Sequence, residues 1–120
     1  MNDIALGVAE SKFADIIWQN EPVASSKIVA LASEELGWKK STTFTVLRRL
    51  CEKGLFVNNK GTVTSLISKQ DLHSLQSEKF VEDTFGGSLP AFVAAFSKRK
   101  KLSKEELDEL RALIDNFGEG

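Results

Sequence analysis

Among its 120 residues the chain holds one cysteine, one histidine, two prolines and no tyrosine. A lone cysteine, Cys51, excludes an intrachain disulfide and any metal site built on a cysteine cluster, and neither a metal ion nor a cofactor is expected. A lone histidine, His73, sits among helical polar residues and reads as a surface side chain rather than an acid–base group. No glycine-rich phosphate loop is present. The acids at Glu105, Glu106, Asp108 and Glu109 precede a leucine stripe, as in any amphipathic helix. Catalysis is therefore the poorest reading, and the chain is read as not an enzyme. Long hydrophobic runs are missing too, so nothing spans a bilayer. Asn2 and Asp3 stand where a signal peptide carries its basic residues, which points to a soluble protein of the reducing cytoplasm.

What is present is unevenly distributed. The net charge is only -1 and the apolar fraction 42%, enough for one small domain or a domain with an arm. By window, however, Met1–Gly37 carries -4, Trp38–Lys60 carries +5 and Gly61–Gly120 carries -2. A positive excess confined to one short stretch is the mark of a local phosphate-contacting surface, although a solvated helix face looks similar.

Periodicity places a first helix at about Val8–Gln19, on Val8, Phe13, Ile16 and Ile17, ended by Glu21-Pro22. Val23-Ala24 fits a very short strand. Ser25 or Ser26 then caps a second helix, which carries Ile28, Val29, Leu31, Ala32 and Leu36 to the Gly37 stop. A third helix, capped by Ser41, runs to Lys53 with an apolar stripe of Phe44, Leu47, Leu50 and Cys51 and Val46 alongside. On that stripe Cys51 is an inert thiol. Leu55–Val57 and Val63–Ile67 form a hairpin around the turn Asn58-Asn59-Lys60-Gly61. Two short helices, a polar-fronted third and a hairpin are the order of a winged helix-turn-helix. The expected fold is mostly α with a small β-hairpin wing, residues 1–67 forming the DNA-binding domain.

Residues 68–120 read as a helical dimerisation domain. Ser68 caps a helix over Lys69–Phe85, Gly86-Gly87 breaks it, and Pro90 opens an apolar segment, Leu89–Phe96. Ser103 and Glu106 make a capping box for the last helix. The apolar positions Leu72, Leu75, Phe80, Phe85, Leu89, Phe92, Phe96, Leu107, Leu110, Leu113 and Ile114 exceed what a small finished domain has room to cover. Self-association buries several such stripes at once. The basic run Lys98–Lys101 reads as a solvated linker, and Trp18 and Trp38 as packing residues.

The chemistry is that of duplex binding. Lys39 and Lys40 precede the third helix and reach phosphates, helped by the free amides of its start. Ser41, Thr42, Thr43 and Thr45 have short side chains that permit close approach to base edges and thymine methyls. Arg48 and Arg49 lie a turn later and meet the backbone; Lys60 at the hairpin tip reaches a flanking groove, with Thr62 beside it. Each residue has a plainer reading, the threonines as first-turn residues and the arginines as a solvated face. One small winged module binds weakly at physiological salt. Two joined modules gain about 10²–10⁴ in apparent affinity and read an inverted repeat.

The whole chain resembles the penicillinase repressor family (BlaI/MecI/CopY). The likeness runs through FADIIWQNEPVASSKIV, the segment containing Trp38, Thr42, Thr45, Leu47, Arg49 and Leu50, then KGLF, FGGSLPAFVAAF and LSKEELDELRALID. The resemblance implies a homodimeric repressor of a resistance or stress operon, including antibiotic resistance. Thr42, Thr45 and Arg49 fall at the family's recognition-helix positions. It also implies, in the β-lactam branch, a membrane sensor-protease whose signal leads to cleavage between asparagine and phenylalanine; here that pair is Ala95-Phe96. The copper branch's C-terminal cysteine cluster is missing. Thr62 and Leu66 replace the wing's usual arginine and tyrosine. The competing reading is a protein-interaction module on the same fold without specific DNA binding.

Overall fold

A computed structural model describes residues 4–117, so Asn2 and Asp3 lie outside the described residues. The order is α1 (Val8–Asn20), β1 (Val23–Ala24), α2 (Ser25–Leu36), α3 (Lys40–Glu52), β2 (Phe56–Asn59), β3 (Thr62–Ser65), α4 (Lys69–Phe85), α5 (Leu89–Arg99) and α6 (Lys104–Phe117). The three strands form an antiparallel sheet in the order β1-β3-β2. The expected architecture, mostly α with a small wing, is the one found.

The chain divides into two compact units, the first ending at Glu78 and the second beginning at Lys79. In the first, Phe13, Ala14 and Ile17 of α1, Ile28 and Ala32 of α2, and Val46, Leu47 and Leu50 of α3 meet Val23, Leu55, Phe56 and Val63 of the sheet region in one core. Both tryptophans pack as anticipated. Trp38 lies 5.0 Å from Phe13 and Trp18 5.3 Å from Phe56, ring centre to ring centre. The Trp18 indole N–H donates to the Ile67 carbonyl at 3.0 Å, which satisfies its one polar atom. Glu21, just beyond α1, accepts from the Ser65 amide and hydroxyl, both at 2.7 Å, and so ties β3 to the end of α1.

Several local expectations need correcting. Val8 is exposed rather than part of the α1 stripe, because it is the first helical residue and precedes the face that meets the core. Neither Ser25 nor Ser26 caps α2: Ala24 does, held extended by its pairing with Thr62. Gly37 does end α2, in the left-handed region at φ 70°, with its amide on the Ala32 and Ser33 carbonyls. Ser41 is not the cap of α3; Lys39 holds that position without a side-chain cap. In the hairpin, Asn58 and Asn59 belong to β2, and the turn is Lys60-Gly61, both at positive φ (54° and 91°). That pair of angles is what a two-residue type I′ turn requires. Asn58 still supports the turn by accepting from the Gly61 amide at 2.9 Å.

The early part of α4 belongs to the first unit. Leu72 is 1% exposed in that unit's core, Lys69 pairs with Asp15 at 2.9 Å, and the Gln76 side-chain amide donates to the Ile4 carbonyl at 2.8 Å. Leu72 is therefore a core residue of the first unit and not a dimerisation residue. In the second unit, Phe80, Phe85, Phe92 and Phe96 form an aromatic cluster with centroids 5.6–6.2 Å apart. The expected caps Ser68 and Ser103 each accept an amide of their helix's first turn, Glu106 accepts in return from the Ser103 amide, and Ser88 caps α5 in the same way. α5 runs on to Arg99, so Lys98 and Arg99 are its last turn rather than linker. Neither α5 nor α6 contains a buried residue.

Candidate nucleic-acid interface

Which face α3 shows to solvent follows from which face it buries. The buried set is Thr43, Val46, Leu47 and Leu50, not the stripe through Phe44 and Cys51. Thr43 is fully buried, and burial leaves its hydroxyl with a partner because it donates to the Lys39 carbonyl at 3.0 Å. A threonine thus occupies a core position that sequence reading gave to Phe44, and it is removed from the candidate DNA-contacting set. The helix is turned accordingly, and Phe44 comes out 37% exposed.

The remaining predicted residues reach solvent. Lys39, Lys40, Ser41, Thr42, Thr45, Arg48 and Arg49 are all exposed, as are Lys60 and Thr62 in the wing. Thr42, Thr45 and Arg49 follow an i, i+3, i+7 spacing and share one face of α3. Thr45 donates to the Ser41 carbonyl at 2.9 Å, which fixes its hydroxyl and leaves that oxygen able to accept. Arg49 is steered by Glu10 of α1 at 3.4 Å, and Glu10 in turn accepts from the Gly7 amide. Sequence reading missed Glu10, whose partner is 39 residues away and whose own segment gives no hint of it. Arg48 makes no ion pair among the described residues.

Between α3 and the wing lies a hollow of about 580 Å³, bounded by Phe44, Thr45, Arg48 and Cys51 of the helix and by Val57, Asn58 and Leu66, over a floor of Leu47 and Phe56. Cys51 is half-buried, and desolvation raises its pKa above the ordinary thiol value, against a lowering hydrogen bond to the Asn58 backbone. It remains a protonated thiol at neutral pH. His73 is exposed on α4. No group of three or more His, Cys, Asp or Glu side chains among the described residues is placed to share a metal ion. No described helix is long and apolar enough to cross a membrane.

Three helices closed by a small antiparallel sheet, with the third helix polar and basic at its front, define a winged helix-turn-helix DNA-binding protein. The chain belongs to the penicillinase repressor family, which matches residues 6–116. It is 28% identical over 111 residues to a penicillinase repressor of Bacillus licheniformis, covering 89% of this chain and 87% of that one. It is 26% identical over 111 residues to the methicillin resistance regulatory protein MecI of Staphylococcus aureus (strain Mu50 / ATCC 700699), covering 89% and 90%. A penicillinase repressor of Staphylococcus aureus is 24% identical over 118 residues, covering 95% and 94%. Membership makes the chain a DNA-binding transcriptional repressor and not an enzyme.

Proposed function

We propose that the protein is a homodimeric repressor that places the exposed front of α3 in the major groove of each half of an inverted-repeat operator. The observation that carries this reading is the solvent-facing set Lys39, Lys40, Thr42, Thr45 and Arg49 on one short helix, flanked by a wing with Lys60 at its tip. Short hydroxylated side chains suit base edges, and the lysines suit phosphates. The dimer follows from the second unit: Leu89, Val93, Phe96, Leu107, Leu113, Ile114 and Phe117 are 37–75% exposed in one chain. A second copy presenting the same faces covers them. The names of the relatives, regulators of penicillinase and of methicillin resistance, favour a resistance operon as the target.

Release by a membrane sensor-protease meets two obstacles in this chain. Ala95 replaces asparagine at the expected cleavage position, and the Ala95-Phe96 bond lies inside α5, so a protease reaches it only after that helix opens.

A gel-shift series on the DNA upstream of the protein's own gene, run over salt concentration with the full chain, tests the reading. The expected result is a shift of specific DNA by a protomer pair. Lys39→Ala and Lys60→Ala should each weaken specific and random DNA alike and lower the salt slope by about one. No preference for the upstream DNA over random DNA at any salt would overturn it.

A further inference from the structure

Apart from Thr45, the residues that line the hollow between α3 and the wing carry none of the proposed operator contacts. Five large apolar side chains of the first unit are exposed among the described residues: Val8, Phe44, Val57, Leu66 and Leu75. Three of them, Phe44, Val57 and Leu66, line this one hollow. Single exposed hydrophobes need no explanation, whereas a cluster rimmed by polar groups marks a binding surface. Its volume, about 580 Å³, lies within the range of small-molecule sites. Its chemistry is equally selective. The floor is apolar, no acid lines it, and the one charged group at its edge is Arg48, which makes no ion pair among the described residues. The Thr45 hydroxyl and the Asn58 side chain are the remaining polar groups of the wall.

We infer that this hollow is an effector site for a small amphipathic monoanion, an aromatic carboxylate, with its ring on Phe44, Val57 and Leu66 and its carboxylate on the Arg48 guanidinium. A guanidinium presents parallel N–H donors that match a carboxylate. Occupancy engages Thr45 and Arg48, two side chains of the DNA-facing helix, so ligand and operator exclude one another. That last step rests on the operator-binding reading; the site itself does not. The ligand then acts as an inducer that needs no proteolysis, and linkage requires operator DNA to weaken the ligand by the same factor.

The test uses the full chain and 2-naphthoate as the probe. Calorimetric titration without DNA should show one saturable site per chain, with the neutral 2-naphthalenemethanol binding at least about tenfold more weakly, the penalty of losing a charge-assisted contact of about 1.4 kcal/mol. Arg48→Gln should erase that difference. Leu66→Glu, at a side chain 62% exposed and hence safe for folding, should abolish binding while the circular dichroism and Tm stay at wild-type values. Saturating 2-naphthoate should then lower operator affinity of the wild type at least about tenfold and leave Leu66→Glu unchanged. No saturable binding, or binding that survives Leu66→Glu, overturns the site. Binding as described with operator affinity unchanged overturns the inducer role. Failure of the chain to bind its operator at all would fall on the repressor reading, because the titration without DNA stands apart from it.

Discussion

At the scale of single residues, three neighbouring threonines on one helix have different work to do. Thr43 holds the core and Thr42 and Thr45 hold the exposed face, a division set by which side of α3 packs against the rest of the first unit, since Thr43 and Thr45 make the same hydrogen bond one turn back. Thr43→Val keeps the shape and removes a satisfied hydroxyl, and leaves the Lys39 carbonyl to other partners. Its cost in urea unfolding should be at most about 1 kcal/mol, with operator discrimination intact. Leu72→Ala removes a core side chain of the first unit, and chemical denaturation should show a loss of about 2–5 kcal/mol. An interface role alone would instead leave the stability of the isolated first unit untouched. The periodicity of α3 could not disclose this arrangement. Val46, Leu47 and Leu50 fit a stripe completed by either Thr43 or Phe44, and hydropathy alone chooses the phenylalanine. Only packing against α1 and the sheet decides between them.

At the scale of elements, the wing shows how a binding loop keeps its shape at some cost to stability. Lys60 adopts φ 54°, a region that L-residues with long side chains enter at a cost of about 1–2 kcal/mol. Asparagine tolerates that region better. Lys60→Asn should therefore raise the unfolding free energy by up to about 1 kcal/mol while weakening DNA binding and lowering the salt slope by about one, read by denaturation and by salt titration. Gly61→Ala meets no atom within 4 Å, so its loss of about 1–2 kcal/mol comes from the backbone at φ 91° alone. Elements with local signals were legible from the chain: the Gly37 stop, the Ser68 and Ser103 caps, Pro90 in the first turn of α5, and the hairpin itself. Boundaries that depend on pairing were not. Sequence gave Asn58 and Asn59 to the turn because asparagine favours turns, whereas pairing of Asn59 with Thr62 draws both into β2. Ala24 caps α2 for the same reason, its backbone being set by a strand 38 residues away in sequence.

At the scale of the whole molecule, the charge pattern pointed to the front of α3 and the surplus of apolar residues to a partner, but the division between units lay beyond sequence reading. A serine cap at Ser68 marks where a helix starts; it does not say that the start of that helix belongs to the preceding fold. A chain cut after Ile67 lacks Leu72, Lys69 and Gln76, and should be markedly less stable than one cut after Glu78, by thermal unfolding. The longer fragment should sediment as a monomer and the full chain as a dimer. A dimeric fragment would place the interface in the first unit. The family role depends on the outward face of α3 reading sequence, and Thr42→Ala and Thr45→Ala probe that face without touching the core. Measured by fluorescence anisotropy on the operator and on a scrambled duplex, each should cost about 1–3 kcal/mol on the operator and almost nothing on the scrambled DNA. Equal losses on both duplexes, or none on either, would contradict it.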